Sequence, residues 1–115
     1  MKINFKNKKC EPCSGKTLKI EPEEISKYLS QLKGWSVNSE QEMIFKKFIF
    51  KTFKKALEFT NLVGKIAETE GHHPDISFGW GYCIIMIHTH AIKGLSINDF
   101  ILAAKIDQLN YEKKI

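Results

Sequence analysis

Glu68-Thr69-Glu70-Gly71-His72-His73-Pro74-Asp75 is the stretch where the chain changes from a helical to an extended period. Upstream of it, Phe53, Ala56, Leu57, Thr60, Val63 and Ala67 recur at three- and four-residue intervals, the inward stripe of an amphipathic helix. Gly71 supplies the left-handed residue on which helices commonly stop. Pro74 biases the residue before it towards extended backbone. Downstream, residues 74–78 and 82–90 alternate as two strands around Gly79-Trp80-Gly81, a hairpin signal.

Similar signals continue on both sides. Thr52 is a natural cap for the helix that Gly71 ends. Before it, residues 35–38 and 42–50 read as a hairpin with its turn near Ser39-Glu40-Gln41. Met43, Phe45 and Ile49 share one face of its second strand, and Ile44, Phe48 and Phe50 share the other. Lys46 and Lys47 interrupt both faces, which predicts partial burial on each side. Pro22 opens an earlier helix, with Glu23 and Glu24 complementing its dipole, Ile25, Tyr28, Leu29 and Leu32 at helical spacing, and Gly34 as a stop. Ser96-Ile97-Asn98-Asp99 starts a last helix with a capping-box variant, and Ile97, Phe100, Ile101, Ala104 and Leu109 give it an apolar face. The order is α-β-β-α-β-β-α. The expected class is α+β: one four-stranded antiparallel sheet with helices packed on one face. Residues 1–115 are expected to form a single domain, with residues 1–20 loosely packed.

The chain has 115 residues, and 43% of them are hydrophobic and 27% charged, an ordinary balance for a globular protein. No apolar run approaches the roughly 20 residues of a membrane span. The lysine-rich residues 1–9 are not followed by an apolar signal core, so the expected location is the cytosol. The net charge of +5 comes from lysines spread along the chain, and arginine is absent. That pattern reads as a solvated basic surface without specific nucleic-acid recognition. Cys10-Glu11-Pro12-Cys13 is a CxxC pair, but no strand precedes it as a redox motif requires, and no second CxxC completes a zinc site. Cys83 lies within an apolar run and reads as core.

Residues 82–90 are apolar on both faces for most of their length, with Tyr82, Ile84, Met86, His88 and His90 on one and Cys83, Ile85, Ile87 and Thr89 on the other. A sheet covered by helices on one side should show a polar outer face. The excess predicts that a neighbouring subunit covers the outer face.

All four histidines fall between positions 72 and 90. Imidazole exchanges protons in both directions near neutral pH, with an unperturbed pKa of about 6.5. Glu68 stands four residues before His72, where it is placed to orient that ring if the helix runs through. His72 and His73 point apart as chain neighbours, and His90 ends its strand. The set reads as an acid/base site for one small molecule. A metal is less well served, because adjacent histidines at a rigid helix end do not readily chelate one ion. Nucleophilic catalysis is also poorly served, since G-x-S-x-G is absent and Cys83 is expected to be buried.

Glu68-x3-His72-His73-Pro74, an apolar strand ending in Thr89-His90, and Gly94-Leu95-Ser96-x2-Asp99 together resemble the pterin-4a-carbinolamine dehydratases. The likeness extends to Cys10-x2-Cys13, to Leu32-x-Gly34-Trp35 and to Ile106-Asp107. Gly71 stands where an Asp or Asn often precedes the histidine pair, Ile92 where animal members carry a cysteine, and His88 is an extra imidazole. The resemblance implies dehydration of 4a-hydroxytetrahydropterin to quinonoid dihydropterin, which regenerates the cofactor of an aromatic amino acid hydroxylase. It implies no cofactor and no metal. By this similarity His72 and His90 carry proton transfers, His73 holds and polarises the 4a-hydroxyl, and Glu68 orients an imidazole. Pro74, Thr89 and Asp99 join the three histidines in binding the pterin, Asp99 with a capping role besides. A homodimer or homotetramer is expected. Animal relatives also serve as a dimerisation cofactor for a homeodomain transcription factor, so a protein-binding coactivator is the alternative.

Overall fold

The computed structural model describes residues 4–11 and 17–109. α1 (Pro22–Leu29) begins where proline has no useful N–H to lose, and Glu23 and Glu24 fill its first turn. It stops at a Ser30 cap, well short of Gly34, which takes φ +79° in the loop leading to β1 (Ser36–Val37). β1 pairs with β2 (Ile44–Ile49), and the turn between them closes when the Asn38 side-chain oxygen accepts the N–H groups of Glu42 and Met43 at 2.8 and 3.0 Å. α2 (Phe53–Glu70) is capped by the Thr52 hydroxyl, which accepts the Lys55 N–H at 3.1 Å. β3 (Asp75–Gly79) and β4 (Tyr82–Ile87) flank a two-residue turn, with Gly81 left-handed at φ +85°. α3 (Ile97–Asp107) closes the order, and short 3-10 turns stand at Phe5–Asn7 and His90–Ile92. The strands run β1-β2-β4-β3, all neighbours antiparallel. This is the α+β, α-β-β-α-β-β-α arrangement expected from the sequence.

The register separates two sheet faces. Ile44 lies opposite Ile87 and Phe48 opposite Cys83 on the inner one, while Phe45 opposite Met86 and Ile49 opposite Tyr82 lie on the outer one. Ile44, Phe48, Phe50, Cys83, Ile85 and Ile87 are fully buried, and their outer counterparts are half-buried. Partial burial on both sides was therefore the wrong expectation for the inner face. Lys46 does not interrupt it, because its amine crosses the Phe48 ring at 4.7 Å and reaches the Asp107 carboxylate of α3 at 3.0 Å. Asp107 also accepts the Trp35 indole N–H at 3.0 Å, tying the first hairpin to the last helix.

The α2 stripe is shifted from the expected one. Ala56, Phe59, Val63 and Ala67 are buried, whereas Phe53 and Leu57 are exposed. Phe59 packs between Phe48 and Phe50, with ring centroids at 4.6 and 5.1 Å. Burying a ring of this size is worth roughly 1.5–3 kcal/mol, which selects the face holding the largest partners. In α3 the interior is wider than its predicted face, since Leu102, Ala103 and Ile106 are buried as well as Phe100 and Ile101. The N-terminal segment, read as loosely packed, is anchored at described residues: Phe5 is buried against Tyr28 and Phe100, and the Ile20 N–H bonds Leu95 O at 2.8 Å. Cys13 lies outside the described residues.

Candidate functional site

Three segments supply the histidine site: the turn after α2, the loop after β4 and the first turn of α3. At the first, Gly71 is left-handed (φ +68°), and the N–H groups of Gly71 and His72 both bond Ala67 O, at 2.9 and 3.3 Å. This glycine-terminated closure swings His72 inward, where it is buried, and leaves His73 outside. Pro74 is half-buried, and β3 begins just after it.

His72 Nε2 lies 2.6 Å from Asp99 Oδ1. Asp99 is wholly buried in the first turn of α3. Its other oxygen, Oδ2, accepts the Thr89 hydroxyl and the Ser96 backbone N–H, both at 2.9 Å. Thr89 Oγ1 in turn receives the Ser96 hydroxyl at 2.8 Å. A carboxylate buried this deeply needs its oxygens bonded, and Thr89, Ser96 and His72 supply the partners. Asp99 accepting in every bond places a ring proton of His72 on Nε2 and, in the neutral ring, leaves Nδ1 as the acceptor. The imidazole is thus fixed in position and tautomer by a group on another helix.

β4 ends at Ile87 and does not run to His90 as expected. Its partners run out: Ile44 faces Ile87 at the start of β2, and Asp75 faces Met86 at the start of β3. Thr89 turns instead to Gly94, with its N–H donating to Gly94 O at 2.9 Å, and this bridge closes the loop that carries His90 on an exposed 3-10 turn. The His88 ring stands 4.1 Å from the His90 ring, and His88 Nε2 is 3.4 Å from Asp75 Oδ2. The extra imidazole therefore adjoins His90 rather than standing apart.

Glu68 does not reach His72. It pairs with His73 Nε2 at 2.5 Å, because the left-handed Gly71 breaks the helical geometry that would have put Glu68 and His72 on one side. Both partners are more than half exposed, so the pair adds at most about 1 kcal/mol to stability. The sequence reading thus located His72, Asp99 and Thr89, which the structure joins, but gave Glu68 the wrong histidine. Ser96 was read only as a cap. Its second link, to Thr89, has no local sequence signal, because it spans a loop whose course is set by the Thr89–Gly94 bridge.

Glu70, just before the turn, accepts Lys105 Nζ at 2.7 Å and the Cys10 N–H at 2.9 Å. Burial alone would raise its pKa, but these hydrogen bonds and the Lys105 charge outweigh burial and lower it. A lowered carboxyl contributes stability that is present above its unfolded value of about 4.3 and is lost as pH falls through the lower folded value. Melting curves should show wild type more stable than Glu70→Gln at pH 7, with the gap shrinking below pH ~4. A gap independent of pH would contradict this ion pair's role.

Clefts of about 620, 370 and 220 Å³ open beside Tyr28 and Ile97, beside Phe5 and Asp107, and beside Ile66 and Glu70. The histidines line none of these three. Among the described residues, no three His, Cys, Asp or Glu side chains converge as metal ligands would. Within those residues, no helix is long and apolar enough to cross a membrane. Cys83 is fully buried, and burial pushes its thiol up, away from nucleophilic use.

A sequence profile of the family described as Pterin 4 alpha carbinolamine dehydratase matches residues 18–109. A Halorhodospira halophila protein provisionally named pterin-4-alpha-carbinolamine dehydratase is 43% identical over 93% of this chain and 98% of its own length. A Rickettsia bellii protein of the same provisional name is 48% identical over 92% and 94%. A crystal structure from Brucella melitensis, described as a transcriptional coactivator/pterin dehydratase, superposes with a TM-score of 0.74 at 27% identity, over 78% of this chain and 96% of that one. A pterin dehydratase-like protein identified as a RuBisCO assembly factor in the alpha-carboxysome gives a TM-score of 0.56 at 25% identity, over 64% and 86%.

Proposed function

Because the chain belongs to the pterin-4-alpha-carbinolamine dehydratase family, we propose that it removes water from 4a-hydroxytetrahydropterin to give quinonoid dihydropterin by histidine acid/base catalysis. The observation that carries this reading is the buried His72–Asp99 pair backed by Thr89 and Ser96. Dehydration breaks the C4a–oxygen bond. The departing hydroxyl takes up a proton, and a ring nitrogen gives one up, so one acid and one base balance the step. His72 and His90 take these two proton transfers. His73, steadied by Glu68, holds and polarises the hydroxyl, with Pro74 shaping the turn beside it. Thr89 and Asp99 are wholly buried, so we assign them to holding His72 rather than touching the pterin. Proton transfer of this kind asks for no metal and no organic cofactor, and each such group contributes roughly 100- to 10,000-fold. The physiological setting that fits is recycling of the pterin of an aromatic amino acid hydroxylase in the cytosol. The test is a stopped-flow assay of carbinolamine dehydration, run after exhaustive chelation; acceleration that returns only when zinc is added would overturn the metal-free mechanism.

The coactivator reading draws on the Brucella protein's double description and on the assembly role of the carboxysome protein. Catalysis is favoured because the full set of site residues is present and His72 is bonded to a carboxylate that Thr89 and Ser96 hold in turn. We also propose self-association. Phe45, Ile49, Tyr82, Ile84 and Met86 form an outer sheet face that the chain's own helices leave half-exposed. Light scattering at micromolar concentration should give a dimer or tetramer. A clean monomer would show that this face is tolerated in solvent.

A further inference from the structure

The segment around Cys10 and Glu11 lies across the end of α2 and the start of α3 and is fastened to both. The Cys10 N–H donates to Glu70 Oε1 at 2.9 Å, and the other oxygen of Glu70 holds Lys105 of α3. The Glu11 N–H donates to Asn98 Oδ1 at 2.9 Å, and the Asn98 amide donates back to Glu11 O at 2.8 Å. Cys10 Sγ donates to Asn98 O at 3.6 Å. Asn98 is wholly buried. Asparagine is a mediocre helix former, and a buried amide without partners is costly, so its presence in the first turn of α3 is explained by the strap it grips. Ser96 and Asp99 already cap that helix. The two fastening points are close in sequence to the reacting pair: Asn98 directly precedes Asp99, and Glu70 stands just before Gly71 and His72.

We propose that the strap at Cys10 and Glu11 is a positioning element for His72, joining Glu70 to Asn98 and so fixing the spacing between the turn that carries His72 and the helix that carries Asp99. The hydrogen bond across that gap is 2.6 Å long, and a small separation of the two elements lengthens and weakens it. The proposal rests on reading His72 as the acid/base group, but its test requires no activity.

Two probes follow the strap and the ring separately. Cys10 reports docking. Burial first, and then the Glu70 carboxylate beside it, push its thiol up to about 12, so a docked Cys10 is protonated and slow to react with a disulfide reagent at neutral pH. A Cys13→Ser chain makes that signal specific, since Cys83 is fully buried. His72 is followed by the NMR resonance of its Nε2–H and by the exchange of that proton with solvent. In Asn98→Ala we expect Cys10 to be labelled about tenfold faster and the His72 ring proton to exchange about tenfold faster, with a cooperative melt retained. If Asn98→Ala fails to fold, Asn98→Asp keeps the acceptor for Glu11 N–H, replaces the donor with a carboxylate oxygen that repels Glu11 O, and allows the same comparison. A freed Cys10 with an unchanged His72 resonance would reduce the strap to packing. A strap that stays docked without the Asn98 amide would also overturn the proposal. Failure of the dehydratase reading would show in the wild-type assay and would leave these two signals as they are.

Discussion

His72→Ala and His90→Ala should each lower kcat for dehydration by about 100- to 10,000-fold, or about 3 to 5 kcal/mol of transition-state stabilisation. Each removes one of the two proton transfers needed to expel the hydroxyl. The double variant should lose less than the product of the two factors, because both groups act on one bound molecule in one step. His73→Ala should raise KM more than it lowers kcat, as its ring is exposed and paired with the exposed Glu68. The resemblance read from the sequence, in which His88 is an extra imidazole, predicts a near-neutral His88→Ala. The 4.1 Å ring contact with His90 argues for a partial loss, smaller than that of His90→Ala. Steady-state constants for the four single variants, with melts to confirm folding, make the comparison. Damage in His88→Ala equal to that in His90→Ala, with His72→Ala mild, would mean that the strand-end histidines carry a different chemistry.

Asp99→Ala should be the most destabilising change in the site. It strands the Thr89 hydroxyl, the Ser96 N–H and the His72 ring without their acceptor, all in a buried space. Removing one partner from such a network costs about 3–5 kcal/mol, and a domain of this size would lose more than about 10 °C in melting temperature. Asp99→Asn separates folding from chemistry. Its carbonyl oxygen can still accept from Thr89 and Ser96, so most of the stability should remain. Its NH₂ group would face His72 Nε2 and donate, which reverses the ring tautomer. We expect Asp99→Asn to melt within about 5 °C of wild type yet to lose at least about 100-fold in kcat. Full activity in Asp99→Asn would show that the tautomer of His72 does not matter to the reaction.

The element order was legible because its punctuation is local: Pro22, Thr52, Gly71, Gly81 and Ser96 each start or stop an element through their own backbone or hydroxyl chemistry. What failed depends on contacts between elements. The buried face of α2 is chosen by Phe59 meeting Phe48 and Phe50, which periodicity alone does not reveal. Lys46 looked like an interruption until Asp107, distant in sequence, received its amine. β4 stops at Ile87, short of Thr89, because its neighbours have ended, a property of the register rather than of residues 82–90. In the site, His72 and Asp99 were recognisable as residues, but the bond between them was not, since it joins a helix end to a helix start across the fold. Glu68 was assigned to His72 by helical spacing that the left-handed Gly71 had already broken.

The most direct measurement is the rate of 4a-carbinolamine dehydration by the purified, chelated protein, set against buffer and against Asp99→Asn at equal folded concentration. The predicted result is saturable acceleration over the spontaneous reaction by wild type, and its near-complete loss in the equally folded Asp99→Asn protein. No acceleration above buffer by wild type, at protein concentrations where the fold is intact, would contradict the assignment of this buried histidine–carboxylate pair to pterin dehydration.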